Sequence, residues 1–291
     1  MIRLLIPIVS VVLMLVSCRA KTVDSMPIEL KEQLIGLSGA HNARQLGGYR
    51  VGDKKIKSGL LLRTATLSGL SREDSILLCE KYNVQCIYDF RSKDESLSAP
   101  DVIPGKARYQ SMALSFIGDG KRADTKFGSQ AQMIEALLQH ADHPSVQAMC
   151  TRLYEIIFFD KSSQQVYREF FTDLMTLNPE NGAVLWHCAQ GKDRAGCASA
   201  MLLAALGANR ELIMADFALS KSYYDPIASR IKTDTDAQKN VINTLISANP
   251  ELFGKALDKI DAEYGSMLNY LTECIGVTPE MMNILRERYL E

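Results

Sequence analysis

"GAVLWHCAQGKDRAGCASAMLLAALG", residues 182–207, joins a short apolar run to a tight polar turn and then to a long apolar stretch that stops at a glycine. The run 182–188 has the length and composition of a buried strand. The stretch from Asp193 onward has those of an amphipathic to buried helix ending at Gly207. A strand, tight turn and helix in that order turn the backbone N–H groups of residues 189–194 around one point at a helix N-terminus, which is a cradle for an anion such as phosphate. Cys188 stands at the end of the strand and Arg194 at the start of the helix. A guanidinium there can take two phosphate oxygens in a fork. A thiol beside a helix N-terminus and a cation is readily deprotonated near neutrality, which suits it to in-line attack on phosphorus. Taken singly, Cys188 is a small buried hydrophobe, Arg194 a solvated helix start, His187 a core histidine, and Gly191 and Gly196 turn markers. The fixed register of all five favours the catalytic reading.

Upstream, "SREDSILLCEKYN" places Ser71 and Asp74 as a capping pair before apolar residues at helical spacing, and "VQCIYDF" follows as a buried strand ending near Asp89. Residues 100–128 carry Pro100, Pro104, Gly118 and Gly120 and read as a long loop beside the site. Two or three helices span about 130–177, with interruptions around Pro144 and Asp160. The tail from Asn209 is helical, with breaks expected near Pro226, Pro250, Gly265 and Pro279. No repeat or linker divides residues 33–291, so they read as one α/β domain.

"HCAQGKDRAG", residues 187–196, resembles the protein tyrosine phosphatase signature His-Cys-x-x-Gly-x-x-Arg-Ser/Thr-Gly, and its Gly-Lys-Asp-Arg core is similar to a bacterial subgroup acting on phosphotyrosine and, in some members, phosphoinositides. "NARQLGGY" (42–49), with Gln45 where the subgroup has an acid, the 61–95 segment with "LLRT" and "DFRS", and the C-terminal helices extend the resemblance along nearly the whole domain. It implies a three-layer α/β fold with a central sheet and a helical C-terminal region, and a phosphatase that uses neither cofactor nor metal.

By that resemblance Cys188 is the nucleophile that forms a cysteinyl phosphate, and Arg194 clamps the phosphoryl oxygens. The backbone of Ala189, Gln190, Gly191, Lys192, Asp193 and Arg194 lines the cradle, and His187 orients the loop. Lys192 is either a cation at the rim that attracts a multiply phosphorylated head group or a residue that solvates the loop. Arg44, Arg63 and Arg91 fall in family-like motifs, where they either shape an electropositive pocket or bridge a carboxylate such as Glu95. Ala195 departs from the Ser/Thr that helps the thiolate leave, which implies slower breakdown of the phosphoenzyme. No Trp-Pro-Asp segment supplies a general acid. Asp89, arriving from a second strand end, is slightly preferred over Asp193, although a salt bridge to Arg91 is the common alternative for such a pair. Substrates would be phosphotyrosine in protein or peptide, or phosphoinositide. The rival readings are a silent phosphate-binding module and a rhodanese-like sulfur transferase.

The 33 basic and 34 acidic residues balance to a net charge of -1, which argues against general attraction to nucleic acid. The first residues, "MIRLLIPIVSVVLMLVSC", combine one arginine with an apolar run too short for a comfortable span, and Leu15-Val16-Ser17-Cys18 resembles a lipobox. Residues 1–17 are thus expected to be a signal peptide and 18–32 a tether lipidated at Cys18, anchoring an exported protein to a bacterial membrane. The seven cysteines show no paired metal-ligand spacing, and His140 with His143 reads as two polar residues facing solvent rather than a metal site. A disulfide from Cys188 to Cys86 or Cys197 is the alternative state of that thiol.

Overall fold

A computed structural model of the protein describes residues 33–114 and 130–291. The signal segment, Cys18 and the tether lie outside the described residues, as does most of the second half of the loop expected at 100–128. Seven strands are present among the described residues: β1 (Arg44–Gln45), β2 (Arg50–Val51), β3 (Lys54–Lys55), β4 (Leu61–Thr64), β5 (Cys86–Asp89), β6 (Arg108–Ser111) and β7 (Val184–His187). Five of them form one sheet in the order β1-β4-β7-β5-β6, and β2 with β3 makes a small separate hairpin. Strand β1 runs antiparallel to β4, and the other sheet pairings are parallel. Thr64, His187, Asp89 and Ser111 share one register row, so the carboxyl ends of four strands finish level. In open α/β sheets the crevice outside those ends is where ligands bind.

The helices are α1 (Arg72–Ile76), continued by a π-helical turn at Leu77–Lys81, α2 (Lys93–Ser98), α3 (Gln130–Gln139), α4 (Pro144–Phe159), α5 (Lys161–Leu174), α6 (Arg194–Leu206), α7 (Arg210–Ala218), α8 (Ser220–Ala228), α9 (Asp236–Leu245), α10 (Pro250–Tyr264), α11 (Met267–Tyr270) and α12 (Pro279–Tyr289). Strand alternation sorts the core into two layers. Leu61, Cys86, Tyr88, Val184 and Trp186 face the large cluster built from α4, α5, α6 and the C-terminal helices. Leu62, Ile87 and Leu185 face a smaller cluster under α1 and the 34–43 segment. Every residue of α6 is buried, and Trp186 fastens it to β7 by donating from Nε1 to the Ala195 carbonyl at 3.2 Å and the Ser199 hydroxyl at 3.1 Å.

The capping box at Ser71 and Asp74 is present, and the strand after it ends at Asp89 as expected. Gly207 closes α6 with φ +98°, while Pro250 and Pro279 occupy first-turn positions of α10 and α12 and Gly265 caps α10. Two expectations need correction. The region 100–128 contains β6, whose sequence Arg-Tyr-Gln-Ser alternates half-buried with exposed residues because it lies at the sheet edge and lacks an apolar run. Pro226 does not break the tail but sits inside α8. His143 Nδ1 accepts from the Ser145 amide and caps α4.

Candidate active site

Residues 188–193 link the end of β7 to α6, and their main chain is shaped by donors placed around the outside of the loop. The Ala189 carbonyl accepts from the Thr66 amide at 3.2 Å. The Gln190 carbonyl accepts from Asn42 Nδ2 at 3.1 Å and from the Tyr224 hydroxyl. Arg63 Nη2 donates to the carbonyls of Gly191 at 2.7 Å and Lys192 at 3.3 Å. In a trans peptide the C=O of one residue points opposite to the N–H of the next. Four carbonyls pulled outward therefore turn the amides of Gln190, Gly191, Lys192 and Asp193 inward. None of these four amides is bonded to another described residue. Two glycines permit the shape. Gly191 has φ +65°, and a Cβ there would lie 2.3 Å from the Thr64 carbonyl oxygen; at Gly196 a Cβ would lie 3.1 Å from Arg63 Nη2.

Cys188 is buried at the foot of this loop and unpaired, like the other five described cysteines, so a disulfide to Cys86 or Cys197 is absent here. Arg63, Lys192 and Arg194 are buried cations around it. Arg194 is fixed in a fork, with Nη1 2.6 Å from Glu95 Oε2 and Nη2 2.8 Å from Oε1. Its Nη1 also donates to the carbonyls of Phe90 and Leu114. Burial works against the Arg194 charge, but Glu95 outweighs it and holds the guanidinium well above its ordinary range. Glu95 is itself set by the capping box of α2, where its Oε2 accepts from the Ser92 amide at 2.7 Å. Burial likewise opposes the Glu95 charge, and Arg194 draws its carboxyl below the usual range.

The other arginines named from the sequence do not line an open pocket. Arg44 and Arg63 are fully buried and share one carboxylate, Asp216, at 3.0 and 2.5 Å. Tyr49 donates to the same carboxylate at 3.1 Å. Burial raises the Asp216 carboxyl, but the two arginines outweigh it and keep it below the ordinary range. Burial and the neighbouring Arg44 push Arg63 down to about 10. Arg91 bridges Asp89 at 2.7 Å and Asp101 at 2.6 Å with one nitrogen. Glu95, considered as a partner for these arginines, serves Arg194 instead.

Lys192 corrects both expectations set for it. It is neither at the rim nor in solvent: its ammonium is buried and donates to the carbonyls of Thr244 at 3.0 Å and Ser247 at 2.7 Å, tying the loop to α9 and the turn after it. Burial lowers its pKa, with Asp193 acting in opposition. Asp193 precedes α6 without capping it. One oxygen accepts from the Tyr154 hydroxyl at 2.6 Å, and the other lies 3.5 Å from Lys192 Nζ.

Asp89, the acid preferred from sequence, is fully buried and saturated. Its oxygens accept from the Arg91 amide, Arg91 Nε and Nη2, and the Tyr109 hydroxyl at 2.7–3.0 Å. Burial raises its carboxyl, yet His187 and Arg91 bring it below the ordinary range, so it is held as an acceptor. His187 Nε2 lies 3.1 Å from Asp101, and its Nδ1 is 3.7 Å from Asp89 and 3.4 Å from the Cys188 carbonyl, so the ring joins this cluster to the root of the loop. Asp89, Asp101 and His187 bring three possible metal-ligand atoms within 4.8 Å, but the Arg91 guanidinium already bridges the two carboxylates.

Asn42, Tyr154, Asp216, Ser220 and Tyr224 were not singled out from sequence. Asn42 adopts φ 55° and reaches both the Gln190 carbonyl and Ser220. Asp216, Ser220 and Tyr224 recur every four residues, so one polar line along α7 and α8 turns toward the loop. That spacing was the available signal.

A buried cysteine thus lies at the foot of a loop whose amides converge, and an arginine held in a fork by Glu95 begins the helix that follows. The chain belongs to the tyrosine phosphatase family, which matches residues 35–291. It is 29% identical over 277 residues to the triple specificity protein phosphatase PtpB of Mycobacterium tuberculosis, covering 86% of this chain and 96% of that one. It is 26% identical over 247 residues to a tyrosine-protein phosphatase of Nostoc commune, covering 80% and 75%. A solved structure of a P. aeruginosa TpbA variant in complex with phosphotyrosine aligns with 73% of this chain and 95% of that chain, at 15% identity and a TM-score of 0.29.

Proposed function

We propose that the protein hydrolyses phosphotyrosine in protein or peptide through a cysteinyl phosphate on Cys188, with Asp193 as the general acid. The observation that carries the reading is the outward fixing of the carbonyls of residues 189–192, which leaves inward amides around the thiol. The phosphoryl oxygens would sit on these amides and on Arg194, preorganised donors that strengthen as charge develops. The Cys188 sulfur forms the S–P bond while the ester P–O bond breaks, and Asp193 delivers a proton to the departing oxygen. Water then forms a new P–O bond as the S–P bond breaks, and its proton returns to Asp193. Asp193 is favoured over Asp89 because it meets one hydroxyl and one more distant ammonium, whereas Asp89 is saturated by Arg91 and Tyr109. Asp193→Asn should slow an unactivated phenyl phosphate by about 10²–10⁴ and spare an ester with a good leaving group. Asp89→Asn should slow both by one factor. The reverse pattern would return the role to Asp89.

Purified residues 19–291 should be assayed on phosphotyrosine peptide, phosphoserine peptide and phosphoinositide vesicles, with thiosulfate as a sulfur-transfer control. Phosphotyrosine turnover lost in Cys188→Ser supports the reading, and thiosulfate turnover in its place would refute it. Phosphoinositide is the second substrate arm. With Lys192 buried, its support must come from other cations. The lipobox-like Leu15-Val16-Ser17-Cys18 further motivates an exported protein anchored through lipid on Cys18. Among the described residues no helix is long and apolar enough to cross a membrane. Mass spectrometry of the mature N-terminus, with detergent-phase partitioning of Cys18→Ala, tests the anchor; an unmodified N-terminus elsewhere would end it.

A further inference from the structure

The ionic side chains of the loop are engaged: Lys192 with two carbonyls, Asp193 with Tyr154, and Arg194 with Glu95. Gln190 differs. It is 5% exposed, and its carboxamide makes no hydrogen bond to a described residue, with Nε2 buried and unpartnered. Its own carbonyl is held by Asn42 and Tyr224, so the main chain cannot shift to relieve the side chain. An unpaired buried amide is destabilising, and in a folded protein such a group calls for an explanation.

The partner is identified by what the carboxamide offers. The peripheral oxygens of a bound phosphoryl group only accept, and the loop amides and Arg194 already supply donors to them. A carboxamide both donates and accepts, so its complement is a group that does the same, and a water molecule is one. The second half of the reaction needs one water placed opposite the sulfur, and Ala195 has no hydroxyl to assist that step. We infer that the Gln190 carboxamide faces the reacting centre and holds the water that hydrolyses the cysteinyl phosphate, a role that rests on the phosphatase reading above. The water oxygen forms the P–O bond, the electron pair of the S–P bond leaves on Cys188, and the proton passes to the Asp193 carboxylate ionised in the first step. Gln190 gains and loses no proton.

The test uses the wild type, Gln190→Leu and Gln190→Met, which approximate the side-chain volume without a donor or a strong acceptor. Phosphoenzyme formed from p-nitrophenyl phosphate is quenched in acid at intervals, and its decay is followed directly. The variants should lose the phosphoryl group about tenfold more slowly, with kcat falling in step. The value of kcat/KM for this activated ester, which reports steps only up to loss of nitrophenolate, should stay unchanged, as should inhibition by orthovanadate. Decay at the wild-type rate would overturn the inference. So would a common fall in decay, kcat/KM and vanadate affinity, which would make Gln190 a residue that only shapes the loop. Failure of the wild type to form any phosphoenzyme would refute the phosphatase reading itself.

Discussion

Two buried ion clusters flank the loop, and their charges are arranged in opposite ways. On the β1/β4 side a single carboxylate, Asp216, serves two guanidiniums, Arg44 and Arg63. On the β5 side two carboxylates, Asp89 and Asp101, share one guanidinium, Arg91, with His187 beside them. The cation-rich cluster is the one that touches the loop main chain, through Arg63. Among the described residues the carboxylate-rich cluster touches it at its root, through His187. Surplus positive charge thus lies on the side of the proposed phosphate cradle, while Asp89 spends its acceptor capacity on structure.

Breaking the first cluster should have the largest effect. Asp216→Asn leaves two buried guanidiniums short of charge and should cost about 3–5 kcal/mol in urea unfolding. By loosening Arg63 it should also cut phosphatase activity about a hundredfold, the scale of a small misplacement of reacting groups. Wild-type activity in a folded Asp216→Asn would show that Arg63 does not need this carboxylate to hold the loop. Asp89→Asn should be milder, about 1–3 kcal/mol, because Asp101 still pairs Arg91. Its effect should appear in stability and equally on all esters.

Acid tests both clusters together. Asp216, Asp89 and Glu95 are all depressed in the fold. Each therefore adds stability that is fully present above the ordinary carboxylate range of about pH 4 and is lost as pH falls through its lower folded-state value. Urea midpoints should hold from neutrality to about pH 5 and drop below pH 4; a drop that begins near neutrality would contradict these assignments. The smallest effect is expected from Ala195→Thr, which should raise steady-state turnover by a few-fold, about 1 kcal/mol or less, if phosphoenzyme breakdown limits the rate. No change in turnover or in the burst of leaving group would mean that other groups already stabilise the departing thiolate.

The central strand, the loop and α6 were legible because they are local: an apolar run, a glycine turn and an apolar helix follow one another in 26 residues. The capping box at Ser71 was legible for the same reason. Strand β6 was not, since four residues alternating half-buried with exposed at a sheet edge carry no apolar pattern. At the site, Cys188 and Arg194 are fixed by their register, but the partners of Arg44, Arg63 and Lys192 are set by chain segments up to 176 residues away. A buried lysine and a rim lysine look alike in sequence. Likewise an Asp-x-Arg pair does not reveal whether its carboxylate is saturated, and that difference separates Asp89 from Asp193.

The most direct measurement of the central claim is acid quenching of the wild-type enzyme during turnover of p-nitrophenyl phosphate, followed by digestion and mass spectrometry. The account predicts one phosphoryl group on the peptide containing Cys188, absent in Cys188→Ser together with turnover. Normal turnover in Cys188→Ser, or a phosphoryl group on any other residue, would contradict it.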